Sequence, residues 1–231
     1  PSSIVSILPT TSMNTLTWAF ATGECGSENW AGMSADQFAA QNIADFNKAG
    51  LKYIVSTGGA SGAFTCSTNA GMDKFLARYM SAGFVGLDFD IEAGPSGAAL
   101  QSLITQIAYA QKKYPNLRIS FTLATLASLG DSVIKLAQAA GINFYVNLMV
   151  MDYGNSSAVC VMNPANTNCD MNLSAQQAAF NLSSFYKLPL SKIELTPMIG
   201  VNDTVTNLVS LTDATKIATW AKANGLAGLH Y

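Results

Sequence analysis

Charged side chains are scarce in this sequence. Lys and Arg total 12 and Asp and Glu 14 among 231 residues, so charge accounts for 11% of the chain against roughly a quarter in an average soluble domain. With a formal net charge of −2 there is no basic footprint for a phosphate backbone, and nucleic acid is excluded as a partner. Lys/Arg runs that would hold an anionic membrane surface are missing as well. No window approaches about 18 consecutive apolar residues, so no membrane-spanning helix is expected. Histidine is nearly absent: His230 is the single one, which removes a Ser–His–Asp device. No two of the cysteines stand as C-x-x-C, and without histidines a zinc site has no ligands to be built from. Neither a metal nor an organic cofactor is expected. The nearest approach to a phosphate loop, Gly58-Gly59-Ala60-Ser61-Gly62, lacks the G-x-G-x-x-G spacing of a dinucleotide site.

What the chain does have is hydrophobic residues, 49%, and a mean hydropathy of +0.24. That is the opposite of a disordered composition, and 231 residues can bury the core of one large α/β domain. Residues 1–231 are therefore read as a single domain. The four cysteines, Cys25, Cys66, Cys160 and Cys169, are even in number, which suits disulfides and an oxidising compartment. The short, loop-like stretch between Cys160 and Cys169 favours that pairing, with Cys25–Cys66 as the other; four reduced thiols are the competing reading. Four N-x-S/T tripeptides start at Asn155, Asn172, Asn181 and Asn202 and matter only in a eukaryotic secretory route. No basic and apolar leader precedes Pro1, the form that a processed secreted chain takes.

Short β-branched or apolar runs alternate with longer helical ones. Strands are expected at residues 15–21, 53–57, 84–92, 118–125, 144–151, 192–198 and 226–231, with helices at 35–49, 71–82, 97–113, 131–140, 174–185 and 211–223. In the last helix Leu211, Ala214, Ile217, Ala218 and Ala221 recur near helical spacing. Alternation of this kind means βα units around a parallel sheet. The count points to a (β/α)8 TIM barrel whose first strand and the end of whose eighth lie outside these residues. An open doubly wound sheet is the second choice.

The informative stretch is Phe84-Val85-Gly86-Leu87-Asp88-Phe89-Asp90-Ile91-Glu92. Side chains alternate across a strand, so Asp88, Asp90 and Glu92 share one face and Leu87, Phe89 and Ile91 the other. The apolar set must meet helices, which turns the acids to the barrel interior, with Glu92 at the carboxy-terminal mouth. Carboxylates this close cannot all ionise in a buried place. At least one should hold a proton at neutral pH, as a general acid needs.

These residues resemble the catalytic signature of glycoside hydrolase family 18, D-x-x-D-x-D-x-E, in its last three acids. Ser56-Thr57-Gly58-Gly59 is similar to the family's S-x-G-G, Met149-Val150-Met151-Asp152 partly matches its M-x-Y-D, and Thr196-Pro197-Met198-Ile199-Gly200 looks like its seventh-strand segment. The resemblance covers the chain in order. It implies substrate-assisted, retaining hydrolysis of β-1,4-linked N-acetylglucosamine, with Glu92 as acid and base, Asp90 orienting the acetamido group and Asp88 sharing a proton with Asp90. It further implies sugar contacts from Phe20, Gly59, Met149, Asp152, Tyr153 and Met198. The implied protein is a secreted, monomeric chitinase whose partners are chitin or N-acetylglucosamine oligosaccharides. The alternatives are an endo-β-N-acetylglucosaminidase acting on N-glycan cores and a catalytically silent chitin-binding protein. Three departures stand out: Val85 replaces the family's first aspartate, Met151 stands at its tyrosine with Tyr153 two positions on, and its terminal tryptophan would follow Tyr231. Trp30 is read evenly as a sugar platform or as packing, and the Lys and Arg residues as a solvated face.

Overall fold

A computed structural model of the chain describes residues 3–8, 13–125 and 128–231. The chain divides into two compact units, Pro1–Phe121 with Asp131–Phe144, and Thr122–Gly130 with Tyr145–Tyr231.

The first unit alternates strand and helix: β1 (Thr15–Ala21), α1 (Ala35–Lys48), β2 (Lys52–Gly58), α2 (Asn69–Tyr79), β3 (Phe84–Asp90), α3 (Gly97–Lys113), the start of β4 (Arg118–Ala124) and most of α4 (Ser128–Ala139). Its strands lie in the order β1-β2-β3-β4, and β1/β2 and β2/β3 pair in parallel. Local chemistry sets the helix ends. Ser34 and Gln37 form a reciprocal cap that opens α1, satisfying backbone donors that a helix start leaves unpaired. After its end the chain turns at Gly50 with φ +69°, a conformation open to glycine at no steric cost. Along α3 the buried residues Leu100, Leu103, Ile104, Ile107 and Ala110 follow the helical period and form its core face.

The core beside β1 is aromatic. Trp18 stacks on Tyr53 at 3.8 Å and meets Phe46 edge-on at 4.8 Å. Trp30 belongs to this packing and is no sugar platform: it is buried, stacks on Phe38 at 3.8 Å, and donates its indole N–H to the Tyr79 hydroxyl at 2.8 Å. Nor are all cations solvated. Arg78 on α2 is almost fully enclosed and pairs with buried Glu28, which also accepts from Tyr79 Oη at 3.0 Å. The Cys25–Cys66 disulfide ties the loop after β1 to the loop after β2.

The second unit holds β5 (Tyr145–Met149), α5 (Met171–Tyr186), β6 (Ile193–Thr196), α6 (Leu211–Ala223) and β7 (Gly228–Leu229). Its strands run β5-β6-β7, all parallel. Asp170 caps α5 and Ser210 with Asp213 caps α6. In α6 only Ile217 and Ala221 are buried. Leu211 and Ala218, expected on the same apolar face, are exposed, because the helix buries a stripe narrower than its apolar spacing suggests. A second disulfide, Cys160–Cys169, closes the loop before α5. No helix among the described residues is long and apolar enough to cross a membrane.

Candidate active site

The acid strand sits in the first unit and has the alternation its sequence dictates. Leu87, Phe89 and Ile91 are buried on one face, where the Phe89 ring meets Phe64 at 6.2 Å and Phe121 at 5.9 Å. Asp88 and Asp90 are buried on the other, each 5% exposed. Strand β3 ends at Asp90, so Glu92 falls just past it in a bend and is exposed. The three acids thus run from the interior to solvent at the carboxy-terminal end of β3.

Each buried acid has its own surroundings. Asp88 accepts a hydrogen bond from Ser56 Oγ at 2.6 Å on one oxygen and from Ser120 Oγ at 2.7 Å on the other. Ser56 reaches it because β2 and β3 set Ser56 opposite Asp88 in register. Asp90 is less well satisfied: its Oδ1 is buried without a hydrogen-bond partner among the described residues. Burial first, then the charges of Glu92 and Asp88, and a hydrogen bond with Glu92, push the Asp90 carboxyl up to about 8. This is the pattern of like charges crowded in a poorly hydrated place. A neutral, proton-holding aspartate therefore stands next to an exposed glutamate.

Two glycines keep that arrangement open. A Cβ on Gly58, whose φ is +89°, would lie 2.1 Å from the Asp90 carbonyl oxygen. At Gly59, with φ +84°, the nearest atoms belong to the Phe20 ring at 2.9–3.1 Å, and the Gly59 N–H donates to the Asp90 carbonyl at 3.0 Å. Phe20 is 38% exposed and follows a cis peptide bond from Ala19. Phe20, Gly59, Asp88, Asp90 and Glu92 are thus gathered at one end of β1, β2 and β3.

The remaining expected residues lie in the second unit, where they form their own group. Asp152 has φ +50° and is exposed; its Oδ1 accepts from the Thr204 N–H at 2.6 Å and its N–H donates to Asn202 Oδ1 at 3.3 Å. Asn202 in turn donates to the Met198 carbonyl at 2.8 Å. Its amide is buried and engaged, so of the four N-x-S/T sites this one presents no free side chain. Tyr153 is buried, with a hydroxyl that has no partner among the described residues, and burial raises its pKa. Met149 and Met198 are half-buried. Asn147 on β5 accepts from Thr196 at 2.8 Å and donates to Thr122 at 3.0 Å. No cluster of His, Cys, Asp and Glu suited to a metal ion occurs among the described residues.

Sequence reasoning passed over Ser120 and Arg118, although a signal was present. In Arg118-Ile119-Ser120-Phe121-Thr122 polar and apolar residues alternate as they do in the acid strand, which turns Arg118 and Ser120 to the face of β4 that meets Asp88.

Parallel βα units with a ladder of acids at the carboxy-terminal end of one strand define an α/β protein with a clustered-carboxylate site. Comparison with known proteins narrows the class. No family model matches the chain. It is 30% identical to endochitinase 11 of Metarhizium anisopliae over 206 aligned positions, covering 75% of this chain and 39% of that protein. It is 28% identical to a probable bifunctional chitinase/lysozyme of Escherichia coli, covering 75% of this chain and 22% of that protein. The chain thus spans less than half the length of the curated relatives it matches. Among solved structures it superposes on the catalytic domain of the Pyrococcus furiosus chitinase with a TM-score of 0.73 at 24% identity, covering 99% of this chain and 81% of that one. A family GH18 chitinase of Chromobacterium violaceum gives 0.59 at 16% identity, over 94% and 71% of the two chains. The fold is that of chitinase catalytic domains, and the chain resembles the chitinases of glycoside hydrolase family 18.

Proposed function

We propose that this chain is the catalytic part of a secreted, monomeric chitinase, a single (β/α)8 barrel domain over residues 1–231 that hydrolyses β-1,4-linked N-acetylglucosamine chains with retention. The observation that carries this reading is the ladder of Asp88, Asp90 and Glu92, with Asp90 buried, raised to about 8 and bonded to the exposed Glu92. The chitinase relatives support it, as does a related Pyrococcus furiosus structure described as complexed with chito-oligosaccharides.

In this mechanism Glu92, exposed past the end of β3, gives its proton to the leaving glycosidic oxygen. The carbonyl oxygen of the substrate's own 2-acetamido group attacks the anomeric carbon, and the C–O bond to the leaving sugar breaks. The product of that step is a cyclic oxazolinium ion. Asp90 receives the acetamido N–H on its unpartnered Oδ1 and orients the acetamido carbonyl for attack, while the positive charge that develops is offset by the carboxylate of Asp88 below it. Water then attacks the anomeric carbon and gives its proton to Glu92, while the oxazolinium ring C–O bond breaks and the 2-acetamido group is regenerated. Because the nucleophile belongs to the substrate, a sugar without a 2-acetamido group is not turned over. Phe20 offers a ring face to a pyranose, and Gly59 leaves room for it. Met149, Asp152, Tyr153 and Met198 are assigned to sugar binding from the family resemblance of their segments.

The test is hydrolysis of N-acetylglucosamine oligomers by the 231-residue chain beside Glu92→Gln. The expected result is turnover that falls by about 10²–10⁴-fold in the variant. Cleavage confined to glycoprotein glycans would assign the site to an endo-β-N-acetylglucosaminidase. Oligomer binding without turnover in either chain would leave a silent chitin-binding protein.

A further inference from the structure

We propose that Ser120 and Arg118 of β4 are positioning residues that hold Asp88 as the charged member of the Asp88/Asp90 pair, so that the shared proton resides on Asp90, next to Glu92. For its effect on rate this rests on the glycosidase reading above.

The inference begins with hydrogen-bond direction. Arg118 Nη1 lies 3.1 Å from Ser120 Oγ, and the same Oγ lies 2.7 Å from Asp88 Oδ1. A guanidinium carries donors and no acceptor, so Arg118 occupies a lone pair of the serine. The single hydroxyl hydrogen of Ser120 is then directed at Asp88. On the opposite side Ser56 donates to Asp88 Oδ2 at 2.6 Å. Both oxygens of Asp88 therefore accept short O–H bonds, an arrangement that favours the ionised carboxyl over the neutral one.

The strand geometry explains why this support comes from β4. Val85, at the position of the family's first aspartate, has the opposite parity to Asp88 and lies on the other face of β3. Below Asp88 on its own face stands Gly86, whose missing side chain leaves the space to Arg118: a Cβ there would be 2.7 Å from the arginine's Cβ and 2.3 Å from its carbonyl oxygen. Facing Asp88 are thus Ser56 from β2, Ser120 with Arg118 behind it from β4, and Asp90 and Glu92 further along its own strand. The cation lies below and the competing acids above. A negative charge fixed on Asp88 opposes a second one on Asp90 and keeps the proton at the level where Asp90 meets Glu92.

Two readouts test this on the full chain. The first is the pH dependence of kcat on N-acetylglucosamine oligomers for the wild type, Ser120→Ala and the hydroxyl-bearing control Ser120→Thr. The second is an infrared titration of isotope-labelled aspartate carboxyls, which reports proton position whether or not the chain turns over. In Ser120→Ala the acid limb of kcat is expected to move to higher pH by about one unit, with KM little changed and Ser120→Thr close to wild type. The carboxyl titration should show proton uptake by a buried aspartate moving the same way. A folded Ser120→Ala chain with both profiles unchanged would overturn the proposal. If the wild type cleaves nothing but the carboxyl titration still shifts, the positioning role stands and the glycosidase reading falls. Should Ser120→Ala fail to fold, the nearly isosteric weak donor of Ser120→Cys is put to the same two measurements with the same expectations.

Discussion

The ring of Phe20 lies so close over Gly59 that a Cβ on this glycine would stand 2.9 Å from Phe20 Cδ2. The contact joins the end of β1 to the end of β2 at the level of Asp90, whose carbonyl accepts the Gly59 N–H at 3.0 Å. Gly59→Ala should therefore act twice. Its φ of +84° is strained for an L side chain, costing about 1–3 kcal/mol in urea unfolding. The added methyl also pushes the ring aside, so KM for oligomers should rise more than kcat falls. Gly58→Ala should behave differently, because its Cβ would meet the Asp90 carbonyl, a backbone atom, at 2.1 Å. There the chain has no flexible side chain to move, and little folded protein is expected. Equal, mild effects at both positions would contradict this account of the two glycines.

The raised Asp90 carboxyl makes a prediction about stability as well as rate. Its unfolded value is near 3.8 and its folded value about 8, so between those limits the folded chain binds more protons than the unfolded one. Stability contributed by this group is fully present below about 3.8 and is lost as pH rises through about 8, with a slope of at most about 1.4 kcal/mol per pH unit. Asp90→Asn removes the titration. Melting temperatures taken from pH 4 to 9 should therefore fall more steeply for the wild type than for the variant, and parallel curves would count against a buried neutral Asp90. The same variant should lose oligomer hydrolysis, since an amide cannot carry the proton between Asp90 and Glu92.

Most of the architecture was legible in the sequence because its signals were local. The strand at 15–21 and the helices at 97–113 and 211–223 were read with the bounds that the structure gives them: periodicity, Ser caps and glycine stops act over a few residues. The acid ladder was legible for the same reason, since parity within one strand decides which face Asp88 and Asp90 share. The partners of those acids were another matter. Ser120 lies 32 positions from Asp88, and only the register of neighbouring strands brings the two together. Trp30 was undecided because a tryptophan in a short segment five residues after Cys25 reads alike in a binding loop and in a core. Its fate depends on Phe38 and on Tyr79, 49 positions away. Lys and Arg scattered along the helical stretches read as a solvated face, which the enclosed Arg78 overturns.

That arginine yields the next prediction. Glu28 is 3% exposed and its carboxylate faces Arg78 and the Tyr79 hydroxyl. Removing only the cation, as in Arg78→Met, strands a buried carboxylate and should cost about 3–5 kcal/mol. Replacing both, Glu28→Gln with Arg78→Met, removes the stranded charge and should recover most of the loss. Asp36, an exposed second partner of Arg78, should matter little when changed to Asn. A double-mutant cycle by chemical denaturation separates these cases, and additive losses at Glu28 and Arg78 would show that the pair is not coupled.

The two disulfides close loops of different length, 41 residues for Cys25–Cys66 and 9 for Cys160–Cys169. If restriction of the unfolded chain dominates, the longer loop should stabilise more, by about 4 kcal/mol against about 2.5. The surroundings reinforce that order. Next to Cys25, the Glu24 carboxylate accepts from Thr65 Oγ1 at 2.6 Å and from the Ser67 N–H and Oγ at 2.7 and 2.6 Å. Burial opposes its ionisation, but these donors outweigh it and hold its pKa below the ordinary carboxylate value. A paired Cys25→Ser/Cys66→Ser variant loses the covalent tie while this polar clamp remains, so it should still fold at room temperature with a reduced denaturation midpoint. Adding Glu24→Gln should then destabilise it further. A larger loss from the Cys160→Ser/Cys169→Ser variant would mean that strain or structure in the unfolded chain, not loop length, sets what each disulfide contributes.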